Sequence, residues 1–225
     1  MFKQLKLFDV QEVHSYQCSD YVVLDSNRNT YNLLMNCDFW GCFVLYGVTG
    51  SGKTHLAHMW QKLRKAHFLT YDTVESTMVA IKGSNAVVVE NIEHIADEAW
   101  LLHCYNCAKE NGKPLLMTAS VSPRQLNFKL KDLESRILST MSAELANPNE
   151  ELLRIMLVKL FTDRQMHTDA KTINYILNNV ERSFKKLSDI VNLIDDELAF
   201  TSGGVTIPFV KSIIRRADFV QREGA

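Results

Sequence analysis

Short apolar runs alternate with amphipathic stretches over the first two thirds of the chain. The apolar runs have the length and composition of strands, and they lie at residues 43–46, 68–71, 86–89, 115–118 and, more weakly, 140–145. Apolar positions between them recur at helical spacing, at residues 54–65, 96–111 and 131–138. Nearly continuous apolar strands that alternate with helices are typical of a parallel sheet covered on both faces. The pattern therefore predicts an α/β domain.

The pattern changes at Asn147-Pro148-Asn149-Glu150. Asn147 can cap a helix, Pro148 suits the first helical position, and Glu150 can complete a capping box. The spacing then stays helical as far as residue 216, with further helix starts near residues 168, 183 and 206. Four helices in about 75 residues predict a small all-helical domain. We divide the chain into an N-terminal peptide (1–12), an α/β domain (13–146) and a helical domain (147–225).

Composition and charge exclude some classes of protein. Hydrophobic residues make up 46% and charged residues 23%, as in a globular protein with a packed core. The 25 Lys and Arg residues nearly balance the 26 Asp and Glu residues, so net charge does not attract the chain to DNA or to an anionic membrane. The five cysteines form no disulfide-like framework, and no signal peptide or long apolar span precedes them. We expect a cytoplasmic protein without a membrane partner.

Cys104 and Cys107 form a CxxC pair within a helical stretch. A zinc site would need a second CxxC or a pair of histidines, and neither completes the set. We interpret the two cysteines as small apolar residues on a buried helix face.

The strongest motif is Gly47-Val48-Thr49-Gly50-Ser51-Gly52-Lys53-Thr54, which fits GxxxxGK[ST] between a predicted strand and a predicted helix. Its glycines allow a tight turn that points backbone N–H groups at phosphate oxygens, and the helix adds its positive end. Lys53 would reach the terminal phosphates, and the Thr54 hydroxyl would hold Mg²⁺. The motif predicts a site for ATP or ADP with Mg²⁺. Its candidate binding residues are Gly47, Gly50, Ser51, Gly52, Lys53 and Thr54.

Hydrolysis requires more than this loop. Phosphoryl transfer needs a carboxylate near Mg²⁺, and Glu90, which ends the strand AVVV, is the candidate. Asn91 stands where a second acid is usual; its amide can orient water but cannot accept a proton at neutral pH. We therefore expect slow hydrolysis or stable retention of a nucleotide. Glu93 could substitute, but we favour a surface position for it.

Several segments together resemble the DnaA/Hda family of AAA+ replication proteins, and in particular its short regulatory members. The matching segments cover nearly the whole chain, and the most specific are the P-loop at 47–54, Glu90-Asn91-Ile92-Glu93, and residues 118–137 and 205–216. The resemblance implies a P-loop base domain with a parallel five-stranded sheet flanked by helices, followed by a small helical lid. DnaA carries a DNA-binding domain after its lid, and we expect no dedicated DNA-binding domain here.

The resemblance also implies roles for single residues. Arg136 matches the arginine finger, which acts in trans on the nucleotide of a neighbouring subunit. Arg182 matches the sensor-2 arginine of the lid, with Lys185 or Lys186 as alternatives. Thr118 lies in the sensor-1 region, where Ser120 replaces an aspartate that is common in the family.

Two stretches near the N-terminus also match the family. Tyr21, Val22 and Val23 resemble the segment beside the adenine, and ordinary core packing is the alternative. Gln4-Leu5-Lys6-Leu7-Phe8 resembles the QLxLF peptide that docks on the β sliding clamp. Gln4 offers an amide, and Leu5, Leu7 and Phe8 offer apolar anchors. An edge strand would show the same alternation, but termini are freest to engage a partner, so we favour the clamp peptide.

The function implied by this resemblance is regulation of chromosomal replication initiation. Such a protein binds an adenine nucleotide, docks on the β sliding clamp and promotes hydrolysis of DnaA-bound ATP in trans, which prevents over-initiation. Its partners would be the clamp, DnaA and, as a further candidate, a second copy of itself, and its own ATPase would be weak. The alternatives are a helicase-loader-like ATPase of the DnaC or IstB type and a non-catalytic adaptor held together by nucleotide.

Overall fold

The computed structural model describes residues 21–36, 41–199 and 204–223, with side chains described as far as residue 216. The predicted clamp peptide, with Gln4, Leu5, Leu7 and Phe8, lies outside the described residues. Within the described ranges, no helix combines the length and the apolar composition needed to span a bilayer.

A five-stranded parallel sheet forms the first part of the molecule. In chain order its strands are β1 (Cys42–Tyr46), β2 (Ala66–Phe68), β3 (Ala86–Val89), β4 (Leu115–Ala119) and β5 (Met141–Glu144). They are arranged in the order β2-β3-β4-β1-β5, and every adjacent pair is parallel. The predicted α/β sheet is therefore confirmed, and its central region lies where β1 and β4 run side by side.

Nine helices are described in these ranges, five with the sheet and four after it. The first five are α1 (Asp25–Asn36), α2 (Lys53–Arg64), α3 (Val74–Gly83), α4 (Glu98–Glu110) and α5 (Lys131–Ser139). The last four are α6 (Glu150–Asp163), α7 (Ala170–Asn179), α8 (Phe184–Leu198) and α9 (Ile207–Glu223).

Helices cover both faces of the sheet. On one face, Phe43 and Leu45 of β1 pack with Leu34 of α1 and with Leu56 and Trp60 of α2. On the opposite face, side chains of β3 and β4 pack with α3, α4 and α5. This apolar layer includes Val87, Met117, Ile81, Leu101 and Leu133. Alternate strand residues thus serve two apolar layers, as expected for parallel strands buried on both faces. Cys104 and Cys107 are buried in the second layer, which confirms their interpretation as apolar helix residues.

The four helices after the sheet have a core of their own. Their buried faces meet in one cluster that includes Leu153, Phe161, Ile176, Val191 and Val210. This confirms the predicted small helical domain, which we call the lid.

Two details differ from the sequence predictions. Strand β2 begins at Ala66, two residues before the predicted start at residue 68. Lys65 adopts a left-handed conformation (φ 52°) that ends α2, and the chain enters the strand directly after it. Asn149, not Asn147, caps α6, since its side chain accepts the Leu152 N–H at 2.8 Å. Glu150 is then the first helical residue, so the predicted capping box is wrong.

Candidate functional site

The P-loop at residues 47–54 connects the end of β1 to the start of α2. Gly50 (φ 80°) and Gly52 (φ 102°) both have left-handed backbone conformations, which favour glycine strongly. Gly52 leads directly into α2, so the positive end of that helix faces the loop.

The space around the loop also requires glycine. A Cβ added at Gly50 would lie 2.7 Å from the Cβ of Ser183, and one at Gly47 would collide with the carbonyl oxygen of Leu145. The loop is therefore enclosed by the chain after β5 on one side and by the start of lid helix α8 on another.

Lys53 turns its side chain back over the loop. Its Nζ donates to the carbonyl oxygens of Gly47 at 2.6 Å and Val48 at 3.0 Å. Burial lowers the pKa of Lys53, while the nearby carboxylates of Glu93 and Glu90 oppose this shift. The ammonium group thus lies in the concave side of the loop, between backbone carbonyls and two acids.

Among the polar atoms near the loop that are buried without a hydrogen-bond partner are Oγ of Ser51 and Oε1 of Glu90. Buried polar atoms are normally paired, so these atoms fit a site that a polar ligand completes. The half-buried Thr54 hydroxyl and the Glu90 carboxylate are hard oxygen donors of the kind that Mg²⁺ prefers. No group of three or more His, Cys, Asp or Glu side chains arranged for a metal occurs in the described ranges. Mg²⁺ at this site would therefore take most of its ligands from phosphate and water.

The turn after β3 is fixed by Thr118. The buried Thr118 hydroxyl accepts the backbone N–H of Asn91 at 3.0 Å, and Asn91 itself has a left-handed conformation (φ 52°). The side chain of Asn91 is exposed. The structure thus brings the predicted sensor-1 threonine and the predicted water-orienting residue together, but through the backbone of Asn91.

Glu93 is not a surface acid, so the sequence interpretation is wrong at this position. Its side chain is 14% exposed, and Oε1 accepts the backbone N–H of Ser120 at 2.9 Å. The left-handed turn at Asn91 and a single 3₁₀ turn at Ile92–His94 direct Glu93 back toward the edge of the sheet. Its position four residues after the end of β3 was the available signal, but the burial of an acid there depends on the conformation of the turn.

Arg136 lies on α5 with a side chain that is 33% exposed. Its Nε is 3.1 Å from Oδ1 of Asp132, one turn earlier, and its Cζ is 5.8 Å from the centre of the Tyr105 ring. The ion pair and the cation–π contact both limit the conformations that the guanidinium adopts.

The start of α8 contacts the P-loop. The backbone N–H of Phe184 donates to the carbonyl oxygen of Gly50 at 3.2 Å, and the Phe184 ring would lie 3.4 Å from a Cβ added at Gly52. Arg182, two residues before Phe184, points elsewhere: it is 61% exposed, and its guanidinium is 3.5 Å from Oε2 of Glu150. Sequence reasoning identified this lid segment but missed Phe184.

Tyr21 reaches the same glycine from the opposite end of the chain. Its ring would lie 3.8 Å from a Cβ at Gly52, and it stacks on Tyr31 and meets His55 of α2 edge-on. Burial raises the pKa of the Tyr21 hydroxyl. Val22 and Val23 follow it as half-buried residues, and the Val22 carbonyl accepts from the side chain of Asn27. The predicted segment therefore lies beside the P-loop.

Comparisons with known proteins agree with this architecture. No family model matches the chain. An uncharacterized protein of Haemophilus influenzae is 24% identical, over 88% of this chain and 90% of that protein. The chromosomal replication initiator protein DnaA of Aliarcobacter butzleri is 22% identical over 89% of this chain. The chain spans about half of that DnaA, or 52% of its length.

Solved structures show the same fold. Domain III of Thermotoga maritima DnaA has a TM-score of 0.75 at 16% identity, covering 89% of this chain and 96% of that domain. AMPPCP-bound DnaA from Aquifex aeolicus has a TM-score of 0.66 at 17% identity, over 80% of this chain and 64% of that one. The RuvB Holliday junction branch migration motor of T. maritima has a TM-score of 0.72 at 12% identity. The match covers 89% of this chain and 71% of that one. The chain therefore has the AAA+ fold of DnaA domain III, as predicted.

Proposed function

We propose that this chain is an Hda-like, adenine-nucleotide-binding regulator of replication initiation that promotes hydrolysis of DnaA-bound ATP. The observation that carries the proposal is the P-loop, whose enclosed glycines, inward Lys53 and unpartnered Ser51 hydroxyl lie on a DnaA-like fold. The AMPPCP bound to the DnaA from Aquifex aeolicus supports an adenine nucleotide as the ligand.

Residues of both domains would hold ADP or ATP. The backbone N–H groups of 47–54 and the Lys53 ammonium would bind phosphate oxygens, and Thr54 and Glu90 would hold Mg²⁺. Tyr21 and Phe184 flank Gly52 and would limit access of water from the base and lid sides. The bound ion would supply charge neutralisation at the phosphates.

Arg136 would act on a nucleotide held by DnaA. Its partly exposed position on α5, restrained by Asp132 and Tyr105, supports presentation to a neighbouring subunit. The exposed apolar side chains of Leu138 and Met141, close in sequence to Arg136, would contribute to such an interface. A guanidinium placed at the transferred phosphoryl group can raise the rate by about 10³ to 10⁵.

The β sliding clamp is proposed as the second partner, on the sequence of residues 4–8 alone. Gln4, Leu5, Leu7 and Phe8 would dock on the clamp and bring the regulator to active replication forks. Replacing both Leu7 and Phe8 with Ala is expected to abolish co-elution with the clamp and to leave the melting temperature unchanged. A large loss of stability would indicate a strand of the fold instead.

Two measurements test the main proposal. Binding of a fluorescent ADP analogue should be tight in the wild type and lost in Lys53→Ala. Stimulation of DnaA ATPase should be abolished in Arg136→Ala, while that variant still binds the ADP analogue.

Arg216→Ala is the matched control for Arg136→Ala, because Arg216 is also a helical arginine paired with an acid, Glu197 at 3.2 Å. Arg216→Ala should stimulate DnaA ATPase as strongly as the wild type does. Full stimulation by Arg136→Ala would leave the adaptor alternative, in which the nucleotide only holds base and lid together.

A helicase-loader-like ATPase remains the second candidate, and the buried Glu93 favours it because an acid at the P-loop permits turnover. Rapid hydrolysis by the chain alone, stimulated by single-stranded DNA and without effect on DnaA, would support this candidate over the first.

A further inference from the structure

Glu93 has one carboxylate oxygen in use and one without a partner. Oε1 accepts the Ser120 N–H at 2.9 Å and lies 3.9 Å from Nε2 of the exposed His94. Oε2 is buried and has no hydrogen-bond partner. An unpaired, buried carboxylate oxygen is costly, so such an arrangement is typical of a functional position.

The carboxylate belongs to the P-loop site. The negative charges of Glu93 and, to a smaller extent, Glu90 raise the pKa of Lys53 against the effect of burial, so both carboxylates lie near the ammonium group. The Ser120 N–H that holds Oε1 comes directly after β4, the strand paired with the one that leads into the P-loop. Glu93 is therefore held between the ends of β3 and β4, near enough to Lys53 for its charge to act on the ammonium group.

Asn91 is less suited to act on water. Its side chain is exposed, and its backbone N–H is engaged by Thr118. An amide also lacks the capacity to accept a proton at neutral pH.

We propose that Glu93, rather than Asn91, orients and deprotonates the attacking water when this chain hydrolyses its own ATP. The inference rests on the proposed function in that the P-loop must bind ATP. In the step, the water oxygen forms a bond to the γ-phosphorus, and the bond from that phosphorus to the β–γ bridging oxygen breaks. ADP leaves with the electron pair of that bond. The water proton passes to Oε2 of Glu93 and then to the inorganic phosphate.

The consequence is that the chain determines which nucleotide it holds. A chain with a water-directed carboxylate converts its own ATP to ADP without a partner, so the ADP form accumulates in the absence of DnaA. Glu93 would then set how long the ATP form persists.

Glu93→Gln is the decisive variant, because its amide oxygen can still accept the Ser120 N–H while the base is lost. In single-turnover assays with Mg²⁺ and ATP, we expect the rate to fall by about 10² or more, the usual contribution of general-base catalysis. Affinity for a fluorescent ADP analogue should stay within about threefold of the wild type. After incubation with ATP, chromatography of the retained nucleotide should find ADP on the wild type and ATP on the variant.

Two controls accompany it. Glu98→Gln changes another carboxylate that accepts backbone N–H groups, those of Lys129 and Leu130, and should hydrolyse ATP at the wild-type rate. Asn91→Ala should lower the rate by less than about tenfold.

Failure of the inference differs from failure of the proposed function. A wild-type rate in Glu93→Gln, or a wild type that binds ATP but does not turn it over, would overturn the role of Glu93 and leave nucleotide binding intact. A Glu93→Ala variant that loses both activity and stability while Glu93→Gln behaves as wild type would make Glu93 purely structural. Absence of nucleotide binding by the wild type would overturn both.

Discussion

The backbone N–H of Phe184 donates to the carbonyl oxygen of Gly50 at 3.2 Å and joins the first turn of lid helix α8 to the P-loop. The adjacent Ser183 packs closely enough on Gly50 that no side chain fits there. Since the loop belongs to the base and α8 to the lid, the position of the lid and the conformation of the loop are linked. A ligand that binds the loop would therefore affect the position of the lid.

Gly50→Ala tests this link. The new Cβ would lie 2.7 Å from the Cβ of Ser183, and alanine would have to adopt a φ near 80°. Backbone strain of this kind costs about 1–3 kcal/mol, so the free energy of unfolding in urea should fall by at least that amount. Nucleotide affinity should fall with it.

Gly83→Ala is the control for Gly50→Ala. Gly83 ends α3, has no positive φ, and has nothing within 4 Å of an added Cβ. It should gain about 0.4–1 kcal/mol of stability, because alanine restricts the unfolded chain. An equal response of the two variants would show that the contact with Ser183 is unimportant.

Phe184→Ala should weaken nucleotide binding about tenfold, or about 1.4 kcal/mol. The reason is that the ring lies beside Gly52, where the lid meets the loop. Titration of a fluorescent nucleotide measures the change. Leu193→Ala, on an exposed position of the same helix, should bind as the wild type does. If both variants weaken binding alike, the effect belongs to the stability of α8 and not to the ring.

A buried hydrogen bond in the base domain allows a stability test that is independent of the P-loop. The indole Nε1–H of Trp100 donates to the Thr77 hydroxyl at 3.0 Å, and both residues are buried. Thr77→Val keeps the shape but leaves the indole N–H unpaired, which should cost about 1–3 kcal/mol in urea unfolding. Thr77→Ser keeps the hydroxyl and should lose less unfolding free energy than Thr77→Val. A neutral Thr77→Val would mean that water replaces the hydroxyl.

Much of the fold was predictable because apolar strands and amphipathic lid helices are local patterns. Helix α3 was missed, since its pattern is weak and its start depends on Thr73, whose hydroxyl accepts the Ser76 N–H at 3.3 Å. The P-loop was also local and therefore recognisable. The roles of side chains near it were harder to predict. Glu93 becomes buried only through the left-handed turn at Asn91, and Arg182 is drawn to Glu150, which lies 32 positions earlier in the sequence. Both outcomes depend on contacts that no single segment contains.

We expect the hydrogen bonds of the Glu98 carboxylate to contribute to stability in a pH-dependent way. Its two carboxylate oxygens accept the N–H groups of Lys129 at 3.0 Å and Leu130 at 2.7 Å, and these bonds lower the pKa of Glu98. A folded-state pKa below the unfolded one, about 4.3 for Glu, means that the stabilisation is complete above that value. It is lost as the pH falls through the lower folded pKa.

Glu98→Gln should therefore melt at a lower temperature than the wild type at pH 7, since one of the two N–H groups would face an amide that cannot accept it. The difference in melting temperature should shrink steadily below about pH 4.3, as the wild-type carboxylate takes up its proton. Glu110→Gln, at the opposite end of α4, removes an acid from the negative end of the helix dipole and should be neutral or slightly stabilising at pH 7. A difference for Glu98→Gln that stays constant from pH 7 to pH 3 would mean that packing, and not the charge-assisted hydrogen bonds, accounts for its effect.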